Sequence, residues 1–282
     1  MNIGIVGLGL IGGSLAKALK LSGKHKIYGF DADGSTLEFA IMTQAVDSSL
    51  TDERLSECDF VIIALYPQAT IEYIESKAQF FKKSAIVVDC CGVKGRVCHA
   101  CYKLALENGF NFIGGHPMAG TQYSGFKFSK ENLFRNAKMI LVPASGEDIS
   151  LLERTKTVFM DAGFSGISIA TPEKHDKIIA YTSQLAHVVS NAYVKSPSAQ
   201  IHKGFSAGSY KDLTRVARLN ETMWTELFLD NADNLANEID FLISSLQKYS
   251  NAIKAHDFKS LETLLREGRE CKERAESGKE SV

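Results

Sequence analysis

The sequence carries no excess charge of either sign: 32 Lys and Arg residues face 33 Asp and Glu, a formal net charge of −1. No electrostatic footprint therefore points to nucleic acid or to an anionic membrane surface. No apolar run approaches the ~18 residues of a membrane span. The chain opens on a strand-like segment without a charged leader and cleavage site, which argues against export and for a cytoplasmic location. Internal repeats and low-complexity tracts are missing as well. The six cysteines are badly spaced for a metal: beside Cys90-Cys91 and Cys98-x-x-Cys101 only Cys58 and Cys271 remain, and neither supplies a second ligand pair. No metal site is expected, and the thiols read as small, reduced core residues. What remains is an ordinary soluble composition, 45% hydrophobic and 23% charged, in 282 residues that suit one large domain or two ordinary ones.

The first thirty-one residues organise the rest. Asn2-Ile3-Gly4-Ile5-Val6 is an apolar run of strand length, followed without a gap by Gly7-Leu8-Gly9-Leu10-Ile11-Gly12 and then by helical spacing from Ser14 to Leu19. A second strand, Lys26 to Phe30, ends on Asp31, nineteen residues past Gly12. Strand, glycines, helix, strand and acid in this order are the dinucleotide-binding pattern. Gly7 is expected to allow the tight turn, Gly9 to let the backbone approach a pyrophosphate, and Gly12 to let helix and strand pack closely. The amides of Leu10 and Ile11 open the helix whose dipole would hold the phosphates. Asp31 would accept hydrogen bonds from the adenosine ribose and repel a 2′-phosphate, which selects NAD over NADP.

Helix and strand continue to alternate. Helices are expected over Ser35–Ala45, Pro67 to about Phe81, Val93–Asn108 and Glu147–Ala162. Strands are expected over 59–65, 84–89, 111–115, 138–142 and 166–170. The fold class is therefore α/β: an amino-terminal Rossmann-like, doubly wound parallel sheet over 1–170. Strand signals stop near Thr171, and an all-helical domain over 171–282 is expected, with one long helix from Glu221 to Asn251 striped by Leu235, Ile239, Leu242 and Leu246. Such a helical half suits symmetric exchange of packing in a homodimer. Arg266 to Val282 alternates charges and reads as a solvated helix end.

Ligands of an open parallel sheet bind beyond the carboxyl ends of its strands. Asp31, Tyr66, Cys90–Lys94 and His116 all fall there. His116, between Gly114-Gly115 and Pro117, is the outstanding candidate for proton transfer, although a histidine beside a proline also shapes turns. His187 and Arg215 taken singly read as a core histidine and a solvated arginine near a helix start.

Taken together they say more. Gly7-Leu8-Gly9-Leu10-Ile11-Gly12-Gly13-Ser14, Asp89-x-x-x-Val93-Lys94-Gly95, His116-Pro117-Met118-Ala119-Gly120, Ser183-x-Leu185-x-His187 and Lys211-Asp212-x-Thr214-Arg215 follow one another as in a single family. The chain resembles the prephenate/arogenate dehydrogenases of tyrosine biosynthesis from its first strand to about Trp224. The resemblance implies NAD-dependent oxidative decarboxylation of prephenate. It casts His116 as the catalytic histidine, and His187, Arg215, Gln122 and Lys211 as substrate-binding residues, with Arg215 on a carboxylate. Three positions depart from the pattern: Gly92 stands where the family has a serine that orients the histidine, Gln184 where a histidine is common, and Gln122 where many relatives have glutamate. Neutral Gln122 and Gln184 favour prephenate over the amine-bearing arogenate, with Asp212 expected to pair with Lys211 or Arg215. An arogenate dehydrogenase, another β-hydroxyacid or imine dehydrogenase of the same plan, and a non-enzymatic NAD-binding regulator are the alternatives.

Overall fold

In the computed structural model the described residues are 1–144, 149–202 and 204–277. They form two compact units, Met1–Ala232 and Asp233–Val282. The first unit is built on eight strands: β1 (Asn2–Val6), β2 (Lys26–Phe30), β3 (Ser48–Ser49), β4 (Phe60–Ile63), β5 (Ile86–Asp89), β6 (Asn111–Pro117), β7 (Lys138–Pro143) and β8 (Gly166–Ile169). They lie in the order β3-β2-β1-β4-β5-β6-β7-β8. Helices α1 (Leu10–Leu21), α2 (Gly34–Met42), α3 (Asp52–Leu55), α4 (Pro67–Lys77), α5 (Gly95–Asn108) and α6 (Ile149–Asp161) intervene. The first two residues of the expected Glu147–Ala162 helix lie outside the described residues.

The apolar runs are strands because both of their faces are buried. Phe60, Ile62, Ile86 and Val88 point into one core with Leu15 and Leu19 of α1 and Val158 and Phe159 of α6. Their neighbours Val61, Ile63 and Val87 point into the other, with Ile74 of α4 and Val97, Cys98 and Cys101 of α5. Cys58, Cys91, Cys98 and Cys101 are buried free thiols. Burial pushes the Cys58 and Cys98 thiols up to about 12, so they stay protonated and act as packing.

One expectation about the sheet is corrected. β1 to β6 run parallel, but β7 pairs antiparallel with β6, and β8 parallels β7. A parallel return needs a crossover, usually a helix. Between Pro117 and Lys138 the described chain has only a 3₁₀ turn at Phe126–Phe128, so it re-enters the sheet from the end at which it left. The antiparallel partner also lengthens β6: His116 pairs with Ile140 and Pro117 with Met139, so the histidine sits on the strand rather than in a loop after it. The two-residue β3 escaped the sequence pattern.

After β8 the chain is helical: α7 (Pro172–Ile179), a π-helical turn at Ala180–Leu185, α8 (Ala186–Tyr193), α9 (Gly208–Thr214) and α10 (Glu221–Leu229), followed by α11 (Ala232–Lys254) and α12 (Phe258–Ser277). The single helix expected over Glu221–Asn251 is broken at Asp230-Asn231. The Asn231 amide is committed to the Asp176 carbonyl and to Gln184 Oε1 at 2.9 and 2.7 Å. In the second unit the Tyr249 hydroxyl of α11 donates to the Leu264 carbonyl of α12 at 3.0 Å. Phe241, Ile243, Leu246 and Ile253 of α11 and Phe258 and Leu265 of α12 are exposed. Of the charged end segment, Arg266–Ser277 continues α12 with i,i+4 pairs such as Arg269–Glu273, and residues 278–282 lie outside the described residues. Among the described residues no helix is long and apolar enough to cross a membrane.

Candidate active site

The glycine-rich turn has the geometry its sequence requires. Gly7 has φ +84°, a conformation that costs a residue with a side chain. A Cβ on Gly12 would sit 1.9 Å from the Gly7 carbonyl oxygen, so helix and turn pack as only glycine permits. Gly9, at the amino end of α1, has nothing within 4 Å of a Cβ position and faces open space. No side chain caps α1, and its first turn, opened by Leu10 and Ile11, carries no acid. The turn is thus a backbone cradle with a positive dipole end. Asp31 closes it, with Oδ2 accepting from Leu8 N at 2.7 Å and Oδ1 from Asp33 N at 2.9 Å.

Farther along the same sheet edge, two buried groups hold His116 by its backbone. Asp89, the last residue of β5, and Lys94, at the start of α5, are both fully buried and form an ion pair. Asp89 Oδ1 accepts from Gly115 N at 3.0 Å and Lys94 Nζ donates to the Gly115 carbonyl at 2.6 Å. Both backbone polar groups of Gly115, the residue before His116, are therefore clamped. Burial disfavours the Lys94 charge, but the Asp89 carboxylate, its hydrogen bond and the nearby Cys91 and Cys98 sulfurs together push the pKa of the ammonium above its usual value. A second contact holds the imidazole itself. His116 Nδ1 lies 2.9 Å from His175 Nε2, and His175 Nδ1 lies 2.7 Å from Asp176 Oδ1. Asp176 in turn accepts from Lys94 N and Gly95 N at 2.8 and 2.7 Å. Burial, reinforced by the neighbouring His175 ring and the Lys94 ammonium, holds the His116 pKa well below the ordinary histidine value. His116 is a half-buried, neutral imidazole.

A third cluster lies on the helical segment. Gln122, Lys211, Arg215 and Arg218 line a cavity of 570 Å³, together with Asp212 and Tyr210. Three of the expected substrate-binding residues are thereby brought onto one wall, and His116 is not on it. His187 lies beside it. Its Nδ1 donates to the Ser183 carbonyl at 3.0 Å, and its ring stacks on Trp224 with centroids 3.8 Å apart. Burial lowers the His187 pKa, and the Arg215 charge adds to the effect. The π-helical turn directly before α8 carries Ser183, the carbonyl partner of His187; such turns concentrate at functional sites.

Three readings of this segment change. Gln184 does not face a ligand: it is buried, its Nε2 donating to the Leu227 carbonyl at 2.8 Å and its Oε1 accepting from Asn231 at 2.7 Å. Arg215 caps the carboxyl end of α9 rather than opening a helix, a position where the dipole favours a cation. Among the described residues Asp212 forms no ion pair with Lys211 or Arg215 and instead lines the cavity beside them. At Gly92 the backbone does not require glycine, but a Cβ would lie 3.3 Å from Leu227 Cδ2, so a side chain fits only if Leu227 gives by a few tenths of an ångström.

Sequence reasoning missed His175, Asp176, Trp224 and Arg218, and gave Asp89 and Lys94 no role. The available signal for the first pair was an imidazole and a carboxylate adjacent on one helix; its partner, His116, lies 59 residues away.

These features match a known family over nearly the whole chain. Residues 15–166 match the family described as prephenate dehydrogenase, nucleotide-binding domain, and residues 171–267 the one described as prephenate dehydrogenase, dimerization domain. The prephenate dehydrogenase of Bacillus subtilis (strain 168) is 30% identical over 268 residues, covering 91% of this chain and 71% of that protein. A prephenate dehydrogenase from A. aeolicus, solved in complex with hydroxyphenyl propionate and NAD⁺, is 31% identical with a TM-score of 0.83, covering 98% of each chain. The arogenate dehydrogenase of Synechocystis is 28% identical with a TM-score of 0.82, covering 98% of this chain and 100% of that one. With both models matched in order, over most of the sheet with His116 and over the helical half, the chain belongs to the prephenate dehydrogenase family.

Proposed function

We propose that the protein catalyses the NAD-dependent oxidative decarboxylation of prephenate to 4-hydroxyphenylpyruvate, a cytoplasmic step of tyrosine biosynthesis. The observation that carries this reading is His116, an imidazole kept neutral by burial and held by its backbone and its ring. The glycine cradle fits the cofactor: Gly9 leaves the backbone open, α1 offers an uncapped positive end for the pyrophosphate, and Asp31, just past β2, would receive the ribose. Bound NAD⁺ supplies the acceptor for the hydride that leaves C4 of the substrate ring. His116 takes the C4 hydroxyl proton as that hydride leaves. The bond from the ring to its carboxylate then breaks, carbon dioxide departs, and its electron pair completes the aromatic ring. The proton returns from His116 to the phenolic oxygen, so no further acid or base is consumed.

Lys211, Arg215 and Arg218 outnumber Asp212 on the cavity wall, an excess of positive charge that suits a dianion. His187 and Gln122 complete the substrate contacts. Residues 171–282 form the substrate and dimerisation domain, and the exposed apolar residues of α11 and α12 support a homodimer built through it.

The test is NADH formation with prephenate, arogenate and 3-hydroxy acids, each with NAD⁺ and NADP⁺. Prephenate with NAD⁺ is expected to give the highest kcat/KM. A higher value with arogenate would favour the second reading, in which Asp212 on the cavity wall receives the substrate ammonium. No turnover of either would sink both. In the same assay Arg215→Ala is expected to raise KM about 10–100-fold with kcat little changed, since it removes a charge-assisted carboxylate contact made equally in ground and transition states. An unchanged KM would remove Arg215 from the carboxylate site.

A further inference from the structure

The contacts behind His116 decide which of its nitrogens is the base. Asp176 is held from the helix side: Oδ1 accepts from Lys94 N and Oδ2 from Gly95 N, the first amides of α5. Such a helix end favours a negative charge. The third donor to this carboxylate is His175 Nδ1, 2.7 Å from Oδ1. A carboxylate only accepts, so Nδ1 of His175 carries the hydrogen and the Nε2 of the neutral ring is bare. That bare nitrogen faces His116 Nδ1 at 2.9 Å. Two bare nitrogens would repel, so His116 Nδ1 is the N–H and its Nε2 keeps the lone pair. The His175 side chain is 0% exposed, so no water competes for either hydrogen bond. The direction of the whole chain is thus set at the amino end of α5 and transmitted through two imidazoles.

We propose that His175, oriented by Asp176, is a positioning residue that holds His116 as the Nδ1–H tautomer and presents Nε2 as the proton acceptor. The proposal rests on the reading of His116 as the base. It gives the chain an orienting group at a position other than Gly92, which has no side chain with which to orient anything. When Nε2 takes the hydroxyl proton, the Nδ1–H bond to His175 is kept, and the imidazolium points through His175 toward the Asp176 carboxylate. The proton on Nε2 is the one returned to the product.

Two variants and one spectrum test this. His175→Phe keeps an aromatic ring but removes the acceptor, and is expected to lower kcat about 10–100-fold, part of what a well-placed base contributes. KM for both substrates should stay within about threefold, because binding contacts are untouched. His175→Gln offers an amide oxygen to the same N–H and is expected to recover most of the lost kcat. Long-range ¹H–¹⁵N spectra of the wild-type protein should show His116 with a protonated Nδ1 and a bare Nε2, and His175→Phe should lose that fixed pattern. A bare Nδ1 in the wild type, an unchanged kcat in His175→Phe, or a His175→Gln enzyme as impaired as His175→Phe would each overturn the proposal. If His175→Phe does not fold, the wild-type spectrum and the His175→Gln kcat decide. A wild-type protein that shows the Nδ1–H tautomer but oxidises neither prephenate nor arogenate would retire the functional reading and leave the tautomer assignment standing.

Discussion

Replacing His116 with asparagine is expected to lower kcat by about 10²–10⁴-fold, the usual contribution of a general base, with KM little affected. Asparagine is the informative choice. Its amide N–H can replace Nδ1–H toward His175 Nε2, whereas its carbonyl oxygen is far too weak a base to take a hydroxyl proton. The fold and the hydrogen bond survive and the chemistry does not. The pH dependence carries a second signature. Burial first, then the neighbouring His175 ring and the Lys94 ammonium, hold the His116 pKa well below its ordinary 6.5. The base is active only when neutral, so kcat should stay level as pH falls through 6.5 and decline only below it. Rates measured from about pH 5 to 8 check the sign. A wild-type midpoint at or above 6.5 would contradict the burial argument, and a His116→Asn enzyme with near-normal kcat would remove His116 from the chemistry.

The sequence made most of the parallel core legible because its strands carry their own punctuation: the glycine turn after β1, Asp31 after β2, Tyr66-Pro67 after β4, Asp89 closing β5, and Gly109 ending the helix before β6. It failed at β7 for a nameable reason. Strand direction is not written in a strand's composition, and the segment from Met118 to Ala137 replaces the crossover helix that a parallel return would need. The site divides in the same way. Local signals, such as the glycines, Asp31 and the constrained His116, were readable on position. Gln184 was misread because its two amide partners, Leu227 and Asn231, come from elements more than forty residues away. His175 was invisible for the same reason. Its role depends on α7 being seated against the start of α5, which no spacing in the sequence encodes. The break at Asn231 belongs here too, since helical periodicity alone cannot tell a continuous stripe from two helices joined at a buried amide.

Replacing Lys94 with methionine is expected to destabilise the protein by about 3–5 kcal/mol, the cost of leaving a buried charge without its partner. Lys94 and Asp89 are both 0% exposed, and the ammonium donates to Asp89 Oδ2 and to the Gly115 carbonyl. Methionine fills much of the same volume, so the loss would come from charge and hydrogen bonds rather than from a cavity. Asp89 would keep its backbone donors, Cys91 N at 2.8 Å and Gly115 N at 3.0 Å, but not its counter-charge. The Asp89→Asn, Lys94→Met double variant removes both charges and should lose clearly less than the two single changes added together, the coupling expected of groups in direct contact. Urea midpoints at constant slope give the four corners of the cycle. The second consequence is catalytic. Gly115 is seated so tightly that a Cβ would lie 2.3 Å from the Asp89 carbonyl oxygen, and the released Gly115 carbonyl belongs to the residue directly before His116. Folded Lys94→Met enzyme should therefore show a reduced kcat although Lys94 lies behind the histidine, while NAD⁺ affinity, which depends on the distant glycine turn, should be retained. A stability loss below about 1 kcal/mol would place the pair among ion pairs that contribute little, and a normal kcat in the folded variant would show that His116 is held by its ring contact to His175 alone.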